Sequence, residues 1–319
     1  MNRSVYASVI SMVAALTCAV LISSSFAGGG GFGGGGFGGA PGGRGGGGSS
    51  RDVKGGPPAP VPQEVAILRP SAEELAKLNG ELKRLVETDT SADAALLKKY
   101  ASLITVPAPQ PNPAIAPAQG NSRSTQRHES FVATAKKGDF DILFDGDSIT
   151  DGWSTTGSAV LKKYFGDTKL ANFGVSGDLA QGVLWGLQNG EGQGKPKAIM
   201  LMIGTNNAQQ YSAPEIAEGI GAIVLEMRKD FPEARILLLG IFPRGATPTD
   251  PNRVKIEEVN KIIAKLDDQK HVFFMNINSK FLDDKGALIG FGIDNLHPNE
   301  KGYEIWAQAV ADTLKGWVK

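Results

Sequence analysis

The run Ala198-Ile199-Met200-Leu201-Met202-Ile203, closed by Gly204-Thr205-Asn206-Asn207, decides how the rest of the chain is read. An apolar run without polar alternation describes a strand covered on both faces, as a parallel strand between two helical layers must be. Working outward, similar short runs stand at Phe140–Asp145, Leu170–Gly174, Arg235–Ile241 and Val272–Ile277. Helical periodicity marks about 158–165, 178–190, 214–230, 252–269 and 299–317, the last carrying Tyr303, Trp306, Val310 and Leu314. Strands alternating with helices predict an α/β domain: a three-layer α/β/α sandwich on a five-stranded parallel sheet with right-handed crossovers. In such sheets chemistry gathers in the loops at the carboxyl ends of the strands.

Four stretches at that edge carry reactive or hydrogen-bonding groups. The first strand runs into Gly146-Asp147-Ser148-Ile149-Thr150, where a serine held by rigid backbone suits a nucleophile, although serine there also caps helices. Thr150 replaces the last glycine of G-x-S-x-G, which argues against the α/β-hydrolase elbow. The second strand ends Asn172-Phe173-Gly174-Val175-Ser176-Gly177; Gly174 can aim a backbone N–H at a ligand or simply make a turn. Asn206, after the third strand, offers a side-chain amide, or a turn residue. Together with the Ser148 and Gly174 amides it would complete an oxyanion hole. The last helix is preceded by Asp294-Asn295-Leu296-His297-Pro298. Pro298 keeps His297 out of the helix, and Asp294 can curl back to the imidazole and turn its far nitrogen toward Ser148. Taken alone, that pair is more often structural. All four stretches fall at one edge of the expected sheet.

Gly146-Asp147-Ser148, Gly174, Gly204-x-Asn206 and Asp294-x-x-His297, in this order, resemble the four blocks of the SGNH (GDSL) hydrolase family over residues 125–319. Within that family, Val183 to Glu191, Gly204-Thr205-Asn206-Asn207 and Gly240 to Gly245 are similar to the catalytic subunits of platelet-activating-factor acetylhydrolase and their bacterial esterase relatives. The resemblance implies a flavodoxin-like sheet and hydrolysis of a short acyl ester without metal or other cofactor. It implies Ser148 as nucleophile, Asp294 and His297 as the rest of a triad, and Ser148, Gly174 and Asn206 as oxyanion donors. Ser176 stands where relatives commonly carry glycine. Trp153, Trp185 and Arg244 are weaker candidates for substrate contact, with a core role for the tryptophans and a surface salt bridge for the arginine as alternatives.

Composition removes other chemistries. The chain has 33 Lys plus Arg against 33 Asp plus Glu, so a nucleic-acid partner is not expected. Its one cysteine, Cys18, lies in the apolar N-terminal stretch, and with only His128, His271 and His297 a Cys or His metal site is not expected either.

Residues 1–27 read as a signal peptide: Arg3, an apolar stretch from Val9 to Ile22 too short to span a bilayer, and the small-x-small site Ser25-Phe26-Ala27. Export is therefore expected, to the periplasm, cell surface or medium, with no stable membrane span. Residues 28–70 hold a Gly-rich then Pro-rich linker and 71–105 a helical pair opened by a Ser71/Glu74 capping box. The second helix is expected from about Ser91 to Ile104; residues 106–124 form a Pro/Ala-rich linker and 125–319 the catalytic domain. The expected substrate is a small acetyl ester or an acetylated carbohydrate, which the export signal favours. A lipid-directed acetylhydrolase or lysophospholipase, and a carbohydrate-binding surface protein with a vestigial site, are the alternatives. A homodimer stays open.

Overall fold

A computed structural model describes residues 55–91, 94–120 and 122–319; the expected signal segment and most of the glycine arm lie outside them. The apolar runs form five strands: β1 (Ile142–Gly146), β2 (Leu170–Asn172), β3 (Ala198–Met202), β4 (Arg235–Leu239) and β5 (Val272–Met275). They make one sheet in the order β2-β1-β3-β4-β5, parallel throughout. Ile142 pairs with Ala198 and Gly146 with Met202, which brings the ends of β1 and β3 level. Every residue of β1 and β3 is buried, as their unalternating composition requires. The order reverses between β1 and β3, the switch point where open α/β sheets leave a crevice.

Helices flank the sheet on both faces. One layer is α6 (Ala180–Gly186), α7 (Ala213–Asp230) and α8 (Pro251–Ile263), packed in series; in the other, α5 (Ser158–Phe165) packs on α9 (Glu300–Val318). A capping box between Ser212 and Glu215 starts α7, and the Asn299 side chain caps α9. α8 stops short of the expected residue 269. Asp268 accepts the N–H groups of Lys270, His271 and Val272, and Gln269 takes φ +54, so the chain turns there into β5. A helix that hydrophobic periodicity did not disclose, α3 (Thr125–Lys137), precedes β1 with Ser124 as its cap and Gly138 as its left-handed terminus.

The stretches read from composition as linkers carry buried groups. Gly56 N–H donates to Pro117 O (2.7 Å) and Ala59 N–H to Ile115 O (2.8 Å), so the two proline-rich segments pair with each other. Together they lie on α7, where Gly219 and Gly221 make room: a Cβ at Gly221 would stand 2.6 Å from Val65, and one at Gly219 3.0 Å from Ala114 O. Glu218, fully buried on the same helix, accepts a two-pronged contact from Arg69 (2.6 and 2.7 Å), the Ile67 N–H (2.7 Å) and the Asn112 amide (2.9 Å). Arg123, the residue before the α3 cap, is also fully buried.

The helical pair projects between these segments. α1 (Ala72–Thr88) starts at the expected Ser71/Glu74 box. The second helix is shorter than expected: α2 covers only Ala94–Lys99, followed by a 3-10 turn at Ala101–Leu103. Leu96, Leu97, Tyr100 and Leu103 stay exposed, and a short helix that buries only Ala94 has little to extend it. Among the described residues no helix is long and apolar enough to cross a membrane.

Candidate active site

β1 delivers the chain to Asp147, whose buried Oδ1 accepts the Ile149 N–H at 3.0 Å and starts the short helix α4 (Ser148–Asp151). Ser148 thus occupies the first helical position, at the positive end of the turn, and among the described residues its N–H has no partner. Its hydroxyl lies 2.9 Å from His297 Nε2. His297 Nδ1 lies 2.6 Å from Asp294 Oδ2, while Asp294 Oδ1 accepts the N–H groups of Leu296 and His297, both at 3.1 Å. With the Nδ1 proton donated to Asp294, Nε2 is left to accept the Ser148 hydroxyl. Partial burial works to raise the Asp294 carboxyl, but the His297 hydrogen bonds and the Leu296 N–H outweigh it and hold the group below the ordinary carboxylate value. The loop is clamped by Gly292 N–H on His297 O (2.8 Å) and turned by Asn295 at φ +52.

The second strand end corrects one expectation. Gly174 N–H is donated to Asn172 Oδ1 at 2.9 Å, so it is not free for a ligand. Gly174 is there for packing: a Cβ would stand 2.4 Å from Asp151 N. Two residues further, Ser176 keeps a negative φ that a side chain tolerates, and the exposed Gly177 takes φ +79. Among the described residues the Gly177 N–H has no partner. The Asn206 amide donates to the carbonyl of the next residue, Asp178, at 2.8 Å, which sets Gly177 beside Asn206. Among the described residues two N–H groups of this loop lack a partner, those of Ser176 and Gly177; Gly177 is the one next to Asp178, whose carbonyl the Asn206 amide holds.

Behind the loop lies a buried charge cluster that composition did not disclose. Arg123 contacts Asp178 Oδ2 through Nε (3.0 Å) and Nη2 (2.8 Å), pairs with Glu191, and faces Asp145 at 3.9 Å. His128 Nδ1 meets the other Glu191 oxygen at 2.7 Å. Desolvation pushes the Asp145 carboxyl up to about 8, against the pull of Arg123 and with the push of Glu191 and Asp178. Desolvation likewise raises Asp147 to about 7, opposed by the Ile149 N–H.

The weaker candidates separate. Trp153 is fully buried among Phe144, Phe165, Tyr303 and Trp306, so it is core and not a substrate platform. Trp185 lies against His128 and lines a groove with Gly56, Pro117, Gln119, Gln188 and Asn189. Arg244 reaches the same sheet edge but donates to Thr205 O (3.0 Å), bracing the turn that carries Asn206.

The GDSL-like lipase/acylhydrolase family model matches residues 144–305. The chain is 34% identical over 211 residues to platelet-activating factor acetylhydrolase IB subunit alpha1 of Rattus norvegicus, covering 65% of this chain and 89% of the relative. It is 36% identical over 200 residues to the alpha2 subunit of the same organism, covering 60% and 86%. Among solved structures, a Bacteroides fragilis protein provisionally described as an acylhydrolase shares the fold at TM-score 0.52 and 19% identity, over 61% of this chain and 98% of that one. With the family model spanning the strand ends that bear Ser148 and Asn206, the chain belongs to the GDSL-like lipase/acylhydrolase family of SGNH hydrolases and is a carboxylic ester hydrolase.

Proposed function

We propose that the protein removes short acyl groups, acetyl first, through a Ser148-His297-Asp294 triad and an acyl-enzyme. One observation carries this reading: the continuous hydrogen-bond line from Ser148 Oγ to His297 Nε2 and from His297 Nδ1 to Asp294. His297 takes the Ser148 proton as Oγ attacks the ester carbonyl, and Asp294 stabilises the imidazolium. The tetrahedral oxyanion rests on the N–H groups of Ser148 and Gly177 and on the Asn206 amide. His297 then protonates the departing alcohol. Water, deprotonated by His297, releases the acid and restores Ser148.

Support for acetyl comes from the relatives, both of which are named acetylhydrolases. Asp294 and His297 side chains are nearly half exposed, which suits an acetyl group carried on a bulky alcohol. With the signal-like N-terminus, this favours O-acetylated carbohydrate outside the cytoplasm; the relatives' names favour a lipid acetyl ester as the second reading.

Kinetics on p-nitrophenyl esters test the proposal. Ser148→Ala should keep the folded circular dichroism spectrum and lose at least ~10³-fold in kcat on the acetate, and wild type should favour acetate over octanoate. Turnover surviving in Ser148→Ala would remove the triad; equal rates on both esters would remove the short-acyl preference. Acetate release from acetylated polysaccharides against acetylated lipids then separates the two alcohols.

A further inference from the structure

We infer that Arg123 and Arg127, both upstream of the family-matched residues, are positioning residues that hold the oxyanion loop 174–178 from its two ends; this rests on the triad reading above. The loop leaves the sheet after Phe173 N–H donates to Phe144 O and Val175 N–H to Gly146 O. At its start, Arg127 Nη2 donates to Gly174 O at 2.7 Å, with the guanidinium also paired to Asp151 and lying over the Phe131 ring. At its end, Arg123 Nε donates to Asp178 Oδ2 at 3.0 Å, and Nη2 lies 2.8 Å from the same oxygen as an ion pair. Asp178 in turn gives its backbone carbonyl to the Asn206 amide. One residue therefore links the Arg123 grip to both loop-side donors: the Gly177 N–H is its neighbour in the chain, and the Asn206 amide is its hydrogen-bond partner.

The position of these donors matters more than their presence. An oxyanion donor works within about 2.7–3.1 Å of the developing charge, and a displacement near 1 Å can cost ~10²-fold in rate. A buried ion pair adds little net stability, because desolvation offsets most of its attraction. A fully buried arginine facing Asp145, Asp178 and Glu191 is thus poorly accounted for by stability alone, and well accounted for by the fixed geometry of the Asp178 turn. Both arginines come from the short stretch that opens α3. A chain begun at residue 125, where composition places the domain boundary, would lack the first.

The test is steady-state hydrolysis of p-nitrophenyl acetate by the full chain, with melting temperature measured on every variant. Arg127→Met should lower kcat about 5–30-fold with KM changed less than about twofold, and Arg127→Lys should recover part of the loss. Arg123→Lys, which retains the buried charge without the fork, should lower kcat at least about tenfold. Should Arg123→Lys fail to fold, the Arg127 pair decides alone. Wild-type kcat in folded Arg127→Met, or a loss carried by KM or matched by a fall in melting temperature, would overturn the inference. Full turnover in Ser148→Ala would instead overturn the triad reading, so the two failures are distinguishable.

Discussion

In the proposed mechanism Asn206 serves two partners with one side chain. One amide hydrogen goes to Asp178 O, and the proposal assigns the second to the developing oxyanion. Asn206→Ala should therefore lower kcat on p-nitrophenyl acetate by ~10²–10³-fold with little change in KM; an effect confined to KM would make Asn206 a binding contact instead. Ser148, Asn206, Asp294 and His297 were legible in the sequence because each sits where a strand ends or a helix begins, and such places are marked by glycine, proline and apolar runs. The glycine proposed as oxyanion donor, Gly177, was not. Which N–H of a loop faces outward depends on φ and on local side-chain acceptors, and here Asn172 captures the Gly174 N–H while Gly177 turns at φ +79. Trp153 stayed open for a similar reason: a lone tryptophan after a strand end reads the same whether it lines a cleft or fills the core, and here it fills the core.

At the scale of elements, the strands and their order of burial followed from period and run length, whereas the N-terminal strap did not. Proline-rich, weakly apolar segments look like tethers in composition, and only the surface they meet reveals otherwise. That surface is α7, whose Gly219 and Gly221 admit the strap and whose Glu218 fastens it. Glu218→Ala would leave the Ile67 N–H and the Arg69 guanidinium without their acceptor and the Asn112 amide with Glu215 O alone, and should cost roughly 2–5 kcal/mol. The expected result is a lower urea midpoint and faster amide exchange in residues 56–70 and 112–118; unchanged exchange there would show that the strap holds without it. Burial works to raise Glu218, but Arg69, Ile67 N–H and Asn112 outweigh it and lower its pKa. A lowered carboxyl stabilises the native state above the unfolded value and ceases to do so as pH falls through the native one. The fastening is therefore expected to loosen on acidification below about pH 4.5.

For the whole molecule the opposite sign governs at neutral pH. Desolvation raises Asp145 to about 8, Asp147 to about 7 and Asp230 to about 6. Unfolded carboxyls release their protons near pH 4, so between about pH 4 and 8 the native state binds more protons than the unfolded one. Stability contributed by these groups then falls as pH rises through that window and levels off above it. Urea midpoints should be higher at pH 5 than at pH 8, with a shallower slope in Asp145→Asn. A midpoint that climbs over the same range would mean that these carboxyls are ionised in the folded protein.

The pairing of Gly56 with Pro117 and of Ala59 with Ile115 has an evolutionary reading. The chain leaves the body for the α1–α2 excursion and returns to it at adjacent points, so the excursion stands on a closed stem. Whatever lies between residues 70 and 106 can be lengthened, trimmed or exchanged without rerouting the path to Arg123. Such a stem is where a hydrolase can acquire a new recognition arm while its strand ends, and the chemistry on them, are inherited unchanged.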